Sequence, residues 1–462
     1  MTGRIGVARG TALYVGAVLG PGVLVLPALA VDAAGPASLL AWAAVMTVSA
    51  PIAAAFAALG MRYPDRGGVA TFARRAFGPA AGTVVGWWFY AAVPLGMVAG
   101  AWTGGRYAAV ALGLPPASAA GVATALLGVA YALNLLGLHL PGRLHLALTA
   151  GLIGLLATVV TVSVPHVSAE QFTPFAPHGV AGIGSATAVL FVAVSGWEAA
   201  AHLAGEFTRP RQQLPIVAAA SLGIIAALYA GLAVCTVGVL GSTAGNTTVP
   251  LTRLLDTGTG TVAATAFCAL LLTFGATFTF VAAAARAGAA LGRDGGLPAW
   301  LAVTGHAGVP RRSLVVQASG AAVVGVAAAA MPSVVNVDLL MGAFSVLLAS
   351  VTLLGLAAAV KLLTSPFIRA GAALATIVVG VVAAFGGRLL LFPAAVAITA
   401  LAWQRHRRRP PIARALTPAA SAAAPTPRRT AQAGDLRRSH DRLATSDAGR
   451  ATHTEPHAPS RH

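Results

Sequence analysis

Twelve apolar stretches of roughly bilayer length follow one another along the chain, at 10–31, 36–60, 83–111, 117–138, 144–166, 181–204, 214–241, 259–290, 313–331, 334–363, 370–386 and 388–403. About 20 helical residues cross a hydrocarbon core of about 30 Å. Inside lipid only helices and closed barrels satisfy their own backbone. The expected fold class is therefore an all-α polytopic membrane protein with about twelve transmembrane helices. The last two stretches are separated by little more than Gly386-Gly387-Arg388, and the tenth is long, so eleven spans or a re-entrant variant is the alternative count.

Composition agrees, with 57% hydrophobic and 9% charged residues, which excludes a water-soluble domain for most of the chain. The formal charge of +18 would suggest nucleic acid in a soluble protein, but twelve of the thirty basic residues lie after residue 403 and the others fall mainly in short loops. No nucleic-acid partner is expected. Residues 1–403 are read as the membrane domain and 404–462, rich in Arg, Pro and Ala, as a disordered tail whose first arginines lie beside anionic lipid. The first stretch is too long for a signal peptide and is read as the first span. Placing the N-terminus inside puts Arg62, Arg66, Arg74, Arg75, Arg143, Arg209, Arg211, Arg293, Arg311, Arg312, Lys361 and Arg369 in cytoplasmic loops, against Arg106, Arg253 and Arg388 outside. That bias predicts an even span number with both termini cytoplasmic. Cys235 and Cys268 sit in apolar segments, and no metal-ligand spacing occurs, so neither a disulfide framework, a metal nor a cofactor is expected.

Two spans break the pattern of a quiet anchor. In the first, Gly20-Pro21-Gly22 removes one amide donor and supplies two residues without side chains, so the helix is expected to open near the midplane. Backbone groups freed there need protein, water or a ligand as partner. A Gly/Pro kink that only packs helices closely is the alternative. In the sixth, Ser195-Gly196 precedes Trp197 and Glu198, and Glu198, His202 and Glu206 recur at i, i+4 and i+8 along one helical face. Ionisable groups inside a span are costly and mark a site or pathway by default. Glu206, near the helix end, has a second reading as an ion-pair partner of Arg209, Arg211 or a loop arginine. His202 either relays protons between the carboxylates or bonds a neighbouring helix. In the loop after the second span, Phe72, Ala76 and Phe77 alternate with arginines at helical spacing. This suits an amphipathic helix at the inner interface, as an anchor or as part of a gate.

Broken first and sixth spans, five apart, are the pattern of a five-plus-five inverted repeat with a midplane site. The motifs carry a resemblance as well. Leu19-Gly20-Pro21-Gly22-Val23, Tyr63-Pro64 with Gly67-Gly68 and Ala76-Phe77-Gly78, Gly196-Trp197-Glu198 with Glu206, Arg209-Pro210 and Pro215, and Arg293-Asp294-Gly295 with Leu297-Pro298 occur in order with the right spans between them. The chain thus resembles the amino acid–polyamine–organocation permease superfamily to about residue 403. Through Gly67-Gly68-Val69-Ala70 with Phe72, Glu198-Ala199 and Ala201-His202-Leu203-Ala204 it looks most like its bacterial exporters of methionine and branched-chain amino acids.

The resemblance implies alternating access without covalent chemistry. It implies a neutral, mainly apolar amino acid as substrate, whose carboxylate meets the backbone of Gly20, Pro21 and Gly22 and whose ammonium meets carbonyls near Val192, Ala193 and Ser195, beside Gly196. Trp197, Glu198, His202 and Glu206 are the candidates for gating and coupling, with a proton as the coupling ion. Proton-coupled members often carry a lysine in the fifth span, and the matching Leu148-Thr149-Ala150-Gly151-Leu152-Ile153 has none. Glu198 with His202 is the expected proton carrier instead. The location implied is a bacterial inner or plasma membrane, and the surface pattern suits a monomer or a dimer. Rival readings are an uptake permease or exchanger of the same fold and a non-transporting sensor or scaffold. An enzyme is not expected, because no nucleophile, base and oxyanion donor occur together.

Overall fold

The computed structural model describes residues 5–408 apart from 65–66, 138–141, 202, 205–206, 248, 256–258 and 306–307. His202, Glu206, Arg66 and the tail from residue 409 lie outside the described residues. The helices are α1 (Val7–Val18), α2 (Leu26–Ala34), α3 (Ser38–Arg62), α4 (Gly68–Phe77), α5 (Pro79–Ala111), α6 (Ser118–Leu135), α7 (Gly142–Ser163), α8 (Gly179–Leu190) and α9 (Trp197–Ala201). They continue with α10 (Pro210–Cys235), α11 (Pro250–Leu254), α12 (Thr259–Arg293), α13 (Arg311–Ala330), α14 (Val337–Leu362), α15 (Pro366–Ala384) and α16 (Leu391–Arg408).

Among the described residues ten helical runs are long and apolar enough to cross a membrane, and two shorter ones, Val7–Val18 and Gly179–Ala193, add to them. The chain is a multi-pass membrane protein. The two short runs are the first halves of spans one and six, short because each helix is interrupted where glycine, serine and proline were expected to open it. α2 turns into α3 at Gly35, whose φ of 61° is a left-handed conformation that glycine adopts without strain. α16 continues to Arg408, five residues past the expected end of the membrane domain.

Burial separates the helices into a centre and a rim. Within their most apolar stretches α5 and α14 are 78% buried, whereas α15 is 17% and the run containing α16 is 11% buried. α5 packs along α12, α14 and α6, and α3 along α10. Because lipid tails are as apolar as leucine, such contacts depend on close approach rather than on hydrophobic transfer, and small residues allow it. On α15 and α16 the large side chains point outward instead, with Phe367, Ile377, Leu391 and Ile398 exposed, as suits lipid-facing surface.

The helix expected at the inner interface forms, as α4, but its apolar side is covered by protein. Val69, Phe72, Ala73 and Ala76 are buried, and α4 packs on α5, α14 and α9. Arg74 pairs with Asp294 just past the end of α12, and Arg75 lies 4.7 Å from the Tyr63 ring. An anchoring helix would offer Phe72 to lipid; here α4 joins α5, α14 and α9.

The contact between α5 and α6 gives a test. A Cβ on Gly105 would lie 2.3 Å from the Ala119 carbonyl oxygen, whereas one on Gly121 would meet nothing within 4 Å. Gly105→Val is expected to destabilise by about 1–3 kcal/mol, from overpacking. Gly121→Ala should be neutral or stabilise by up to about 1 kcal/mol through helix propensity. Thermal unfolding of the purified protein in detergent checks both.

Candidate functional site

α1 ends where proline cannot continue it. The Leu19 and Gly20 amides donate to the Val15 and Val18 carbonyls at 2.7 and 2.8 Å, and Gly20 then turns extended at ψ −176°. A 3-10 turn over Pro21–Leu24 follows, in which Val23 donates to Gly20 at 3.1 Å and Val25 to Gly22 at 3.0 Å, before α2 starts. The sixth span repeats the device. A 3-10 turn over Phe191–Val194 leads to an extended Ser195, whose amide donates to Val192 and whose hydroxyl donates to the Phe191 carbonyl at 3.2 Å.

Gly196 joins the two breaks. Its φ is 141°, and a Cβ there would sit 2.6 Å from the Ala17 carbonyl oxygen and 2.8 Å from the Val18 Cα. Both the conformation and the space therefore require glycine. The backbone of the sixth span lies directly on the end of α1.

Between the breaks is a narrow cavity of about 30 Å³. Gly20, Gly22, Val192, Ala193 and Ser195 line it, so five of the expected substrate residues are brought together; Pro21 is in the adjoining turn. Gly196 is not on the lining but holds the walls together. The remaining wall is apolar: Met97 from α5, Phe280 from α12, and Met341 and Phe344 from α14. Phe344 reaches in because position 96 is glycine, whose Cβ would fall 2.5 Å from the ring. Tyr229 of α10 also lines the cavity, donating to the Ala193 carbonyl at 3.2 Å and stacking 4.6 Å from Trp42. None of these side-chain walls was singled out from the sequence as part of a site. The available signal was a Met or aromatic residue in spans otherwise built of Ala, Gly, Val and Leu.

Of the gating and coupling candidates, Trp197 and Glu198 face elsewhere, and His202 and Glu206 lie outside the described residues. Trp197 is 1% exposed, packs edge-on against Tyr14 at 6.2 Å and donates its indole N–H to the Ser49 hydroxyl at 2.9 Å. Glu198 is fully buried, with the amides of Gly196 and of Glu198 itself and the Thr352 hydroxyl of α14 approaching its carboxyl group. It is off the cavity lining, so any action on a ligand there passes through the break. Within the 148–153 stretch that lacks the lysine, Thr149 of α7 donates to the Ala12 carbonyl of α1 at 3.3 Å.

Tyr107 of α5, 1% exposed, donates to the Leu24 carbonyl at 2.8 Å and accepts from the Leu251 amide at 3.2 Å, tying the turn after the first break to α11. A second cavity shares Ala17 and Phe280 with the first and runs past Arg286 and Arg293 to Thr304 and Pro310. This end carries Arg74, Asp294 and α4.

Residues 5–406 match the family model described as amino acid permease. The chain is 33% identical over 396 residues to the uncharacterised amino acid permease YecA of Bacillus subtilis, covering 84% of this chain and 92% of that one. It is 32% identical over 240 residues to the L-methionine/branched-chain amino acid exporter YjeH of Escherichia coli, covering 51% and 56%. Over 249 residues it is 25% identical to the branched-chain amino acid permease BcaP of Bacillus subtilis, covering 50% and 53%.

Two substitutions test the geometry. Gly196→Ala is expected to destabilise by about 1–3 kcal/mol because it forces an L side chain into a sparsely populated conformation. Ser49→Ala leaves the buried Trp197 N–H without its partner, at about 1–3 kcal/mol. In a double-mutant cycle, Trp197→Phe with Ser49→Ala should cost less than the sum of the two, read as melting temperatures in detergent.

Proposed function

Because the chain belongs to the amino acid permease family, we propose that it is a secondary transporter exporting neutral, mainly apolar amino acids, among them methionine, leucine, isoleucine and valine. Membership in a family of permeases, with relatives named as permeases and transporters, makes it a transporter of amino-acid type rather than an enzyme. The observation that carries the substrate class is the cavity between the breaks, whose polar groups are mainly backbone while Met97, Phe280, Met341 and Phe344 supply the walls. A zwitterion needs donors for its carboxylate and acceptors for its ammonium. Interrupted helices offer amides at the starts of their second halves and carbonyls at the ends of their first halves. In this reading the carboxylate lies on the Gly20, Pro21 and Gly22 backbone and the ammonium on the Val192, Ala193 and Ser195 carbonyls. Ala193 keeps one lone pair, since Tyr229 occupies the other. Methionine or a branched side chain then lies among the Phe and Met residues. A second cationic group would require an acidic side chain, and none of the described residues lining the cavity is acidic.

Export is the direction supported by the likeness to the Escherichia coli exporter, whereas the name of the branched-chain permease carries no direction. The arginine-rich end is assigned to the cytoplasm, with both termini there, in a bacterial inner or plasma membrane. Glu198 is the proton carrier in this reading. A carboxyl group fully buried two residues beyond the Gly196 break is sensitive to a change in that break, and the matching stretch of the fifth span, 148–153, holds no lysine.

Accumulation of labelled methionine and leucine in cells producing the protein, against Gly22→Trp, tests the proposal. Lower label with the wild type alone is expected; higher label would reverse the direction, and no difference would overturn the substrate class. Glu198→Gln should retain substrate binding and lose the pH dependence of transport in proteoliposomes. Unchanged pH dependence would remove Glu198 from coupling.

A further inference from the structure

The second cavity, about 290 Å³, leads from Ala17 and Phe280 to the arginine-rich end. Of the described residues lining it, two are ionisable, and both are arginines on α12. Arg286 and Arg293 are seven residues apart, which puts them on one helical face. At 1.5 Å per residue, Arg286 is about 9 Å along the axis from Phe280 and Arg293 about 10 Å further. Their vestibule-facing neighbours on α12 are small, Thr279, Ala283 and Ala290, so the guanidinium groups are not there to fill a gap. Arg286 is exposed to this space two turns inside the end of α12. A cation at that depth is costly unless it faces water and serves a pathway. Arg286 is also engaged within the protein, which orders a group that still carries several N–H donors.

We propose that Arg286 is a docking residue for the α-carboxylate of the substrate as it passes through the vestibule, and that Arg286 with Arg293 repels amino acids of net positive charge before they reach the breaks. The inference deepens the amino-acid transport reading and rests on it. Planar, two-point recognition of a carboxylate is what a guanidinium does best. A narrow space with low-dielectric walls and one sign of charge concentrates counter-charged groups and excludes like-charged ones. The site between the breaks sorts substrates by side-chain shape, whereas the vestibule sorts them by charge.

Two readouts separate failure of this inference from failure of the transport reading. The first needs no substrate. In a background without Cys235 and Cys268, Ala283→Cys is labelled with a sulfonatoethyl and with a trimethylammonioethyl methanethiosulfonate, each rate normalised to free cysteine. The anionic reagent is expected to react at least about fivefold faster with Arg286 in place, from the focusing of one sign of charge. Arg286→Gln should bring the ratio near one, and Arg286→Glu should invert it. The second readout is leucine transport from the vestibule side. Arg286→Gln should raise KM at least about fivefold and remove its salt dependence, with kcat little changed, and Arg286→Lys should restore KM to within about twofold. A labelling ratio near one in the presence of Arg286, or a KM unmoved by Arg286→Gln, overturns the inference. A charge-selective vestibule in a protein that neither binds nor moves leucine or methionine would overturn the transport reading and, with it, the docking role, leaving the charge filter standing.

Discussion

Everything in the molecule answers to one constraint: inside hydrocarbon, a peptide group that leaves its helix must find another partner. The chain leaves its helices twice at depth, and it does so where the two openings lie against each other. Gly196 is the residue on which this depends. Its backbone conformation and its lack of a side chain let the sixth span rest on the Ala17 and Val18 backbone, so that each opening is walled by the other rather than by lipid. α5, α12 and α14 then close the remaining sides with Phe and Met side chains. A space results whose sides differ chemically: backbone polarity on two spans and apolar surface on three.

The outer helices follow from the same constraint in reverse. α15 and α16 contain no such opening and need only an apolar exterior, so their large residues point outward. The scaffold is graded from a crowded centre, where glycine and alanine set helix distances, to a rim where side-chain identity matters little. α4 is the exception at one end. Its fixed position on α5 and α14, and the Arg74–Asp294 pair, tie it to two helices that also wall the cavity.

How much of this could be read from the sequence depended on whether a feature is local. Spans were legible because apolar length is local, and the two openings because Gly20-Pro21-Gly22 and Ser195-Gly196 disrupt a helix through their own chemistry. Glu198 stood out because a carboxylate within a span is rare. The side-chain walls were not legible. Phe280 and Phe344 are ordinary lipid-compatible residues, and only the packing of α12 and α14 against the breaks turns them inward. The covering of α4 by protein was equally hidden, since Phe72 beside arginines has the same pattern whether its partner is lipid or α14. Tyr107 gave no signal, because its two partners are backbone groups 83 and 144 residues away.

That last feature has an evolutionary corollary. One hydroxyl, donating to the carbonyl of position 24 and accepting from the amide of position 251, ties α5 to the turn after the first break and to α11 without asking anything of the side chains at those two positions. Apolar residues can therefore exchange at both positions while the tie is kept, provided the phenol stays. The tie is inherited through a single codon rather than through a co-varying pair, and comparing sequences for correlated change would pass over it.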